Sequence, residues 1–160
     1  MSFALLFLLL LAGLLHGKRT NKRNKSELAE LMLVYVLVGY CGIYMASASI
    51  LDLIASFRQE TIFPFPAGSP FQQFFGFSFL GMSVLAILSF RYRGSYLIPP
   101  VIGWSIFWLG ATYIHVADEF VNKSISFSSL LGIFSSHGLV ALTMIILLLT
   151  CNAQNRQTSV

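Results

Sequence analysis

Five apolar stretches, each close to the length of one bilayer crossing, fill most of a chain of 160 residues. A hydrocarbon core of ~30 Å takes ~20 mostly apolar helical residues per crossing. Inside lipid, only helices and closed barrels satisfy their own backbone polar groups. The pattern therefore predicts an all-α polytopic membrane bundle, organised as a single integral membrane domain over residues 1–160. Composition agrees: 56% of residues are hydrophobic, 10% are charged, and the mean hydropathy is +0.77, values expected when lipid surrounds the folded surface.

The expected spans are about 2–16, 29–54, 72–90, 97–116 and 129–150, a four-helix core preceded by a short amino-terminal helix. The first, SFALLFLLLLAGLL, is followed by His16 and a basic run of Lys18, Arg19, Lys22, Arg23 and Lys25. A secretory signal carries its charges before the apolar stretch and a small-residue cleavage site after it. The order here is reversed, so a retained helix is expected. Ser26-Glu27 reads as the cap and acidic first turn of the second helix. That helix is rich in small residues, and Gly42 with Ala46 gives the small-xxx-small spacing that brings helix backbones together in lipid. Pro99 and Pro100 suit a first helical turn, where a missing N–H costs little. Residues 55–71, ASFRQETIFPFPAGSPF, hold three prolines and four phenylalanines. They read as an interfacial loop, a candidate lid with its rings at headgroup depth.

Charge gives the orientation. If the run after the first helix is cytoplasmic, Arg91, Arg93 and Arg156 join it, so eight of the ten Lys and Arg share that side. Arg58 and Lys123 lie opposite, with Asp52, Glu60, Asp118 and Glu119. The positive-inside rule then places the amino terminus outside and the carboxyl terminus in the cytoplasm, in what reads as a prokaryotic inner membrane. The net charge of +4 and pI of about 9.3 come from loops that orient spans. With no basic face interleaved with stacking aromatics, nucleic-acid binding is not expected. Cys41 and Cys151 lie in or at the end of apolar segments and suggest no disulfide framework.

From Ser26 onward the chain resembles a family of small uncharacterised prokaryotic multi-pass membrane proteins, a domain-of-unknown-function family. The likeness rests on SELAELMLVYVLVGYCGIY, GSPFQQFFGFSFLGMSVLAILSFRYRG and LIPPVIGWSIFWLGATYIHV. Gln72 and His115 match its pattern, whereas Gln73-Phe74 stand where that family carries an acid. The resemblance implies the fold and brings no activity with it. A looser similarity, in size and helix count, is to DoxX-like four-helix membrane proteins.

Few polar groups are placed where they can carry chemistry. His115, Asp118 and Glu119 fall at i, i+3 and i+4, one face of the fourth helix if it extends that far. An imidazole with two carboxylates can hold a divalent metal or relay protons, and it is equally what a solvated helix end looks like. Asp52, Gln72 and Gln73 are expected at the same rim. His137 lies about eight residues into the fifth helix, ~12 Å below the boundary by helical rise. An ionisable group at that depth is functional or bonded to neighbours, and the depth difference argues against a metal shared with His115. Tyr40 and Tyr44, one turn apart beside Gly39 and Gly42, can line a pocket for a lipid or quinone or simply pack.

Three functions remain open. The first is a bundle binding a lipid- or quinone-like amphiphile in an outward-facing cleft, alone, as a homo-oligomer or as an accessory subunit of a larger membrane complex. The second is a membrane enzyme using the His/carboxylate site, with or without a metal. The third is a proton-coupled transporter, for which five spans without an internal repeat are poor material.

Overall fold

A computed structural model describes residues 2–21, 24–58, 68–121 and 126–157. Every regular element among them is helical, and the described residues form five helices. The first is Ser2–Arg19, the second Lys25–Phe57 and the third Pro70–Leu88. The fourth is Gly94–Val121 and the fifth occupies 127–157. The last four are long and apolar enough to cross a membrane, judged by length and composition. Their outward faces suit lipid: Ile106, Tyr113 and Ile146 are all exposed, a costly arrangement against water and a neutral one against acyl chains.

Local chemistry sets the helix ends, and several lie beyond the positions expected from hydropathy. Asn24, rather than Ser26, caps the second helix, its Oδ1 accepting the Ser26 N–H at 3.0 Å. Ser26 instead donates its hydroxyl to the Cys151 carbonyl at 2.9 Å and so pins the second helix to the fifth. Ala55 to Phe57, read as loop, complete the second helix. Ser69 caps the third through the Gln72 N–H, with Pro70 in the first turn. The remainder of the candidate lid, 59–67, lies outside the described residues. The fourth helix enters through a 3-10 turn, Gly94–Leu97, after which Pro99 and Pro100 occupy the first α-helical turn. It continues to Val121, five residues past the expected end at 116.

Consecutive helices run antiparallel. Leu9 meets Gly39 and Gly17 meets Leu28 between the first and second helices. Gly42 meets Ile87 and Gly76 meets Leu53 between the second and third. The Trp104 indole N–H donates to the Met82 carbonyl at 3.4 Å between the third and fourth. The second helix also packs on the fifth, where the Cys41 thiol approaches Met144 Sδ at 3.7 Å. The second helix thus touches the first, third and fifth. The core it shares with them includes Leu33, Val36, Leu37, Tyr40, Trp104, Val140 and Met144.

Two stretches depart from α-helical winding. Val36–Tyr44 and Phe134–Gly138 are π-helical, a wide turn that costs hydrogen-bond geometry and is frequent at functional sites. The first contains two of the close-approach glycines, Gly39 and Gly42. A Cβ on Gly39 would lie 2.4 Å from Leu9 Cδ2, and one on Gly42 would lie 2.7 Å from Ile87 Cγ1 and 3.3 Å from the Ile87 backbone nitrogen. Gly42→Val is therefore expected to overpack the second–third seam and cost ~1–3 kcal/mol. Gly110→Ala, where nothing lies within 4 Å, is expected to be neutral or slightly stabilising. Thermal unfolding of the two variants in one detergent measures the contrast.

Candidate functional site

The fourth and fifth helices bring two imidazoles together near the end where the acids gather. Because the fourth helix runs on to Val121, His115 sits more than a turn inside its end. The fifth begins at Phe127 behind a reciprocal Ser126–Ser129 capping box. Ser129 also donates to Glu119 Oε2 at 3.2 Å, closing the seam at its mouth. Below it the rings of His115 and His137 stand 5.1 Å apart, tilted by 33°. The expected depth difference between the two histidines is thus corrected: both helices extend past the ends that hydropathy suggested, and the two rings become neighbours.

Ring contacts continue inward. Trp108, two turns before His115 on the same helix, has its ring 5.4 Å from His137 and 5.6 Å from Tyr40. Tyr40 in turn lies 5.5 Å from Tyr44. Tyr40 is fully buried and its hydroxyl donates to the Ser136 carbonyl at 3.4 Å, so the two π-helical turns meet at this bond. Tyr44 is exposed and ends the ladder on the outer surface of the second helix. His137 is half-buried. Its Nδ1 faces the Ser136 hydroxyl at 2.7 Å, and the Ile133 backbone one turn earlier also bonds the ring. His115 is exposed. A half-buried imidazole flanked by an indole and a second imidazole can donate to or accept from a polar group that enters the seam.

Asp52 and Gln72 form a second group, across the second–third seam. Both are fully buried. The Gln72 side-chain amide donates to Asp52 Oδ1 at 3.0 Å, while its Oε1 accepts the Gly68 N–H at 2.9 Å. Asp52 Oδ2 and the Ser56 hydroxyl, one turn on, have no hydrogen-bond partner among the described residues. Gly76 makes room for Leu53 beside the carboxylate, since a Cβ there would lie 2.8 Å from Leu53 Cγ, with Asp52 Oδ2 in ordinary contact at 3.7 Å. Gln73 is only half-buried. The polar rim expected from sequence is thus sorted by seam, Asp52 with Gln72 and His115 with His137.

Among the described residues no three His, Cys, Asp or Glu side chains come together in a metal-binding group. His115, Asp118 and Glu119 share a helix end without converging, and Glu119 accepts a hydrogen bond from Ser129 instead.

Three side chains that sequence reading passed over also matter. Trp108 was legible in principle as the aromatic seven residues before His115, on the same helical face. His16 and Tyr35 carried no local signal. They meet across the first–second seam, His16 Nδ1 to Tyr35 Oη at 2.8 Å with the rings edge-on at 5.9 Å. They stand between a cavity of about 610 Å³ and an apolar groove of about 310 Å³.

The buried carboxylate makes the Asp52 pairing sensitive. Gln72→Leu removes the amide from Asp52 Oδ1 and is expected to cost ~1–3 kcal/mol, the usual penalty for stranding a buried polar group. Gln73→Leu, one position on and half-buried, is expected to stay within ~0.5 kcal/mol of wild type. Thermal denaturation in matched detergent checks both.

No curated protein and no solved structure matches the chain. A family model of unknown function, DUF6790, matches residues 1–157, nearly the full length and all five helices. The chain belongs to this family, in agreement with the resemblance drawn from its second, third and fourth helices.

Proposed function

We propose that the protein is a multi-pass membrane bundle that holds the polar head of a lipid- or quinone-like amphiphile in an outward-facing cleft between its fourth and fifth helices. The observation that carries this reading is the His115–His137 pair. An ionisable ring half-buried in an apolar helix beside a second imidazole is a functional-site feature in a membrane segment. Trp108 and His115 flank it with flat rings 5.4 and 5.1 Å away. Ring-lined apolar walls with a few directed polar groups are the usual composition of small-molecule sites.

In this reading the chain crosses the inner membrane of a prokaryote five times, with its amino terminus outside and its carboxyl terminus in the cytoplasm. The sorting of basic residues supports that orientation. Antiparallel packing gathers them further, since His16 and Arg93 border one groove although far apart in sequence. Assembly as a homo-oligomer or as an accessory subunit belongs to the same proposal.

Extraction into native-lipid particles followed by mass spectrometry of the bound small molecules tests the cleft. His115→Ala and His137→Ala are each expected to lower occupancy of a copurifying amphiphile about fivefold, the loss of one hydrogen bond of ~1 kcal/mol. Ile106→Ala, on the lipid-facing side, is expected to leave it unchanged. Wild-type occupancy in both histidine variants would remove the proposal.

One contact favours a second reading, a membrane enzyme. Ser136 Oγ lies 2.7 Å from His137 Nδ1, within the range over which an imidazole accepts a hydroxyl proton and activates it as a nucleophile. That reading predicts labelling of Ser136 by a fluorophosphonate probe and loss of labelling in His137→Ala. An unlabelled wild-type protein would retire it.

A further inference from the structure

The basic end of the bundle carries a site that the sequence reading did not anticipate. Three features meet there. The first is the cavity of about 610 Å³, lined by Leu15, His16, Arg19, Thr20 and Tyr35. Its polar lining is one cation, one imidazole and two hydroxyls, with no carboxylate. The second is the groove of about 310 Å³ that shares His16 and Tyr35 with this cavity and runs along Leu9, Val38, Gly39 and Ile43, with Phe90 and Arg93 at its edge. Ile43 and Phe90 are exposed on the apolar surface, so the groove opens toward acyl chains. The third feature is that neither Arg19 nor Arg93 forms an ion pair or side-chain hydrogen bond with a described residue. Glu27 and Glu30 line a neighbouring hollow of about 200 Å³ that Arg93 also borders.

A polar, cationic surface recess that shares His16 and Tyr35 with an apolar groove has the two-part chemistry of a phospholipid. We propose that this is a binding site for an anionic phospholipid, with its phosphate held by Arg19 and Arg93 beside His16, Thr20 and Tyr35, and one acyl chain laid in the groove between the first and second helices. Basic pockets between membrane helices on the cytoplasmic side recognise anionic headgroups through the same combination of charge and hydrogen-bond donors. A guanidinium also suits a phosphate better than an ammonium, because its N–H groups match two oxygens at once. Free phosphate would use the recess and leave the groove without purpose. The groove exists because Gly39 lets Leu9 approach, with its Cδ2 2.4 Å from where a Cβ would stand, and because the His16–Tyr35 bond holds the first helix against the second at this level. The bound lipid therefore bridges the first helix to the core. This site lies at the opposite end of the bundle from the imidazole pair and does not depend on it.

Purified protein in nanodiscs of defined composition, phosphatidylglycerol in phosphatidylcholine, tests the proposal by native mass spectrometry and thermal unfolding. The wild type is expected to retain phosphatidylglycerol preferentially and to unfold at a higher temperature as its fraction rises. Arg19→Gln with Arg93→Gln, both on exposed side chains, is expected to reduce the preference roughly thirtyfold, about what two surface cations contribute together. Ile43→Trp is expected to abolish retention of either lipid while keeping both arginines, which separates the groove from a general attraction of basic residues to anionic surfaces. Equal retention of the two lipids by the wild type, an unchanged preference in the arginine variant, or protection by millimolar inorganic phosphate in place of the lipid would each overturn it.

Discussion

Lipid gives helices no hydrophobic reason to associate, so a bundle within it depends on close packing and on the few polar bonds that cross its seams. Here that requirement falls on the second helix. Gly39 admits Leu9 from the first helix and Gly42 admits Ile87 from the third. Both lie in a π-helical stretch, whose wider winding turns the two glycines toward different partners. On the fifth-helix side, Cys41 meets Met144 and Ser26 bonds the Cys151 carbonyl. The other helices are positioned chiefly by what this one offers them.

Polar side chains follow from that arrangement. In a hydrocarbon surround an unpaired polar group is expensive, so the seams are where Asp52, Gln72, Tyr40 and His137 are found. Asp52 takes the Gln72 amide, Tyr40 takes the Ser136 carbonyl, and His137 takes the Ser136 hydroxyl. Each bond joins helices or steadies a π-helical turn. What distinguishes the fourth–fifth seam is that two imidazoles meet there, 5.1 Å apart.

The two ends differ in chemistry for a related reason. At one end Asp52 and Gln72 are drawn into one seam and His137 into another. At the other, Arg19 and Arg93 stay on the surface beside a groove that a peripheral helix creates. A bundle built this way carries polar groups at both ends while its waist remains apolar and exposed.

Much of the fold was legible from the chain alone. Hydropathy located the helices, because length and apolar composition are properties each segment carries by itself, and four of the five are long and apolar enough to cross a membrane. The glycine-rich second helix marked its own central role, since only small residues permit backbone contact. Caps and ends were less legible: Asn24 displaced Ser26 as a cap once Ser26 had a partner 125 residues away. The fourth helix outran its apolar stretch because backbone hydrogen bonds continue where hydropathy falls. The candidate site was half visible. His115, His137, Asp52 and Gln72 stood out as polar groups in apolar surroundings, yet which of them meet depends on helix rotation and depth, quantities no single segment encodes. Tertiary packing alone paired His115 with His137, gave Asp52 to Gln72, and brought His16 to Tyr35 beside an arginine from a distant loop. Composition determines that a segment enters the membrane, whereas the fit between neighbouring segments determines which of its faces meet.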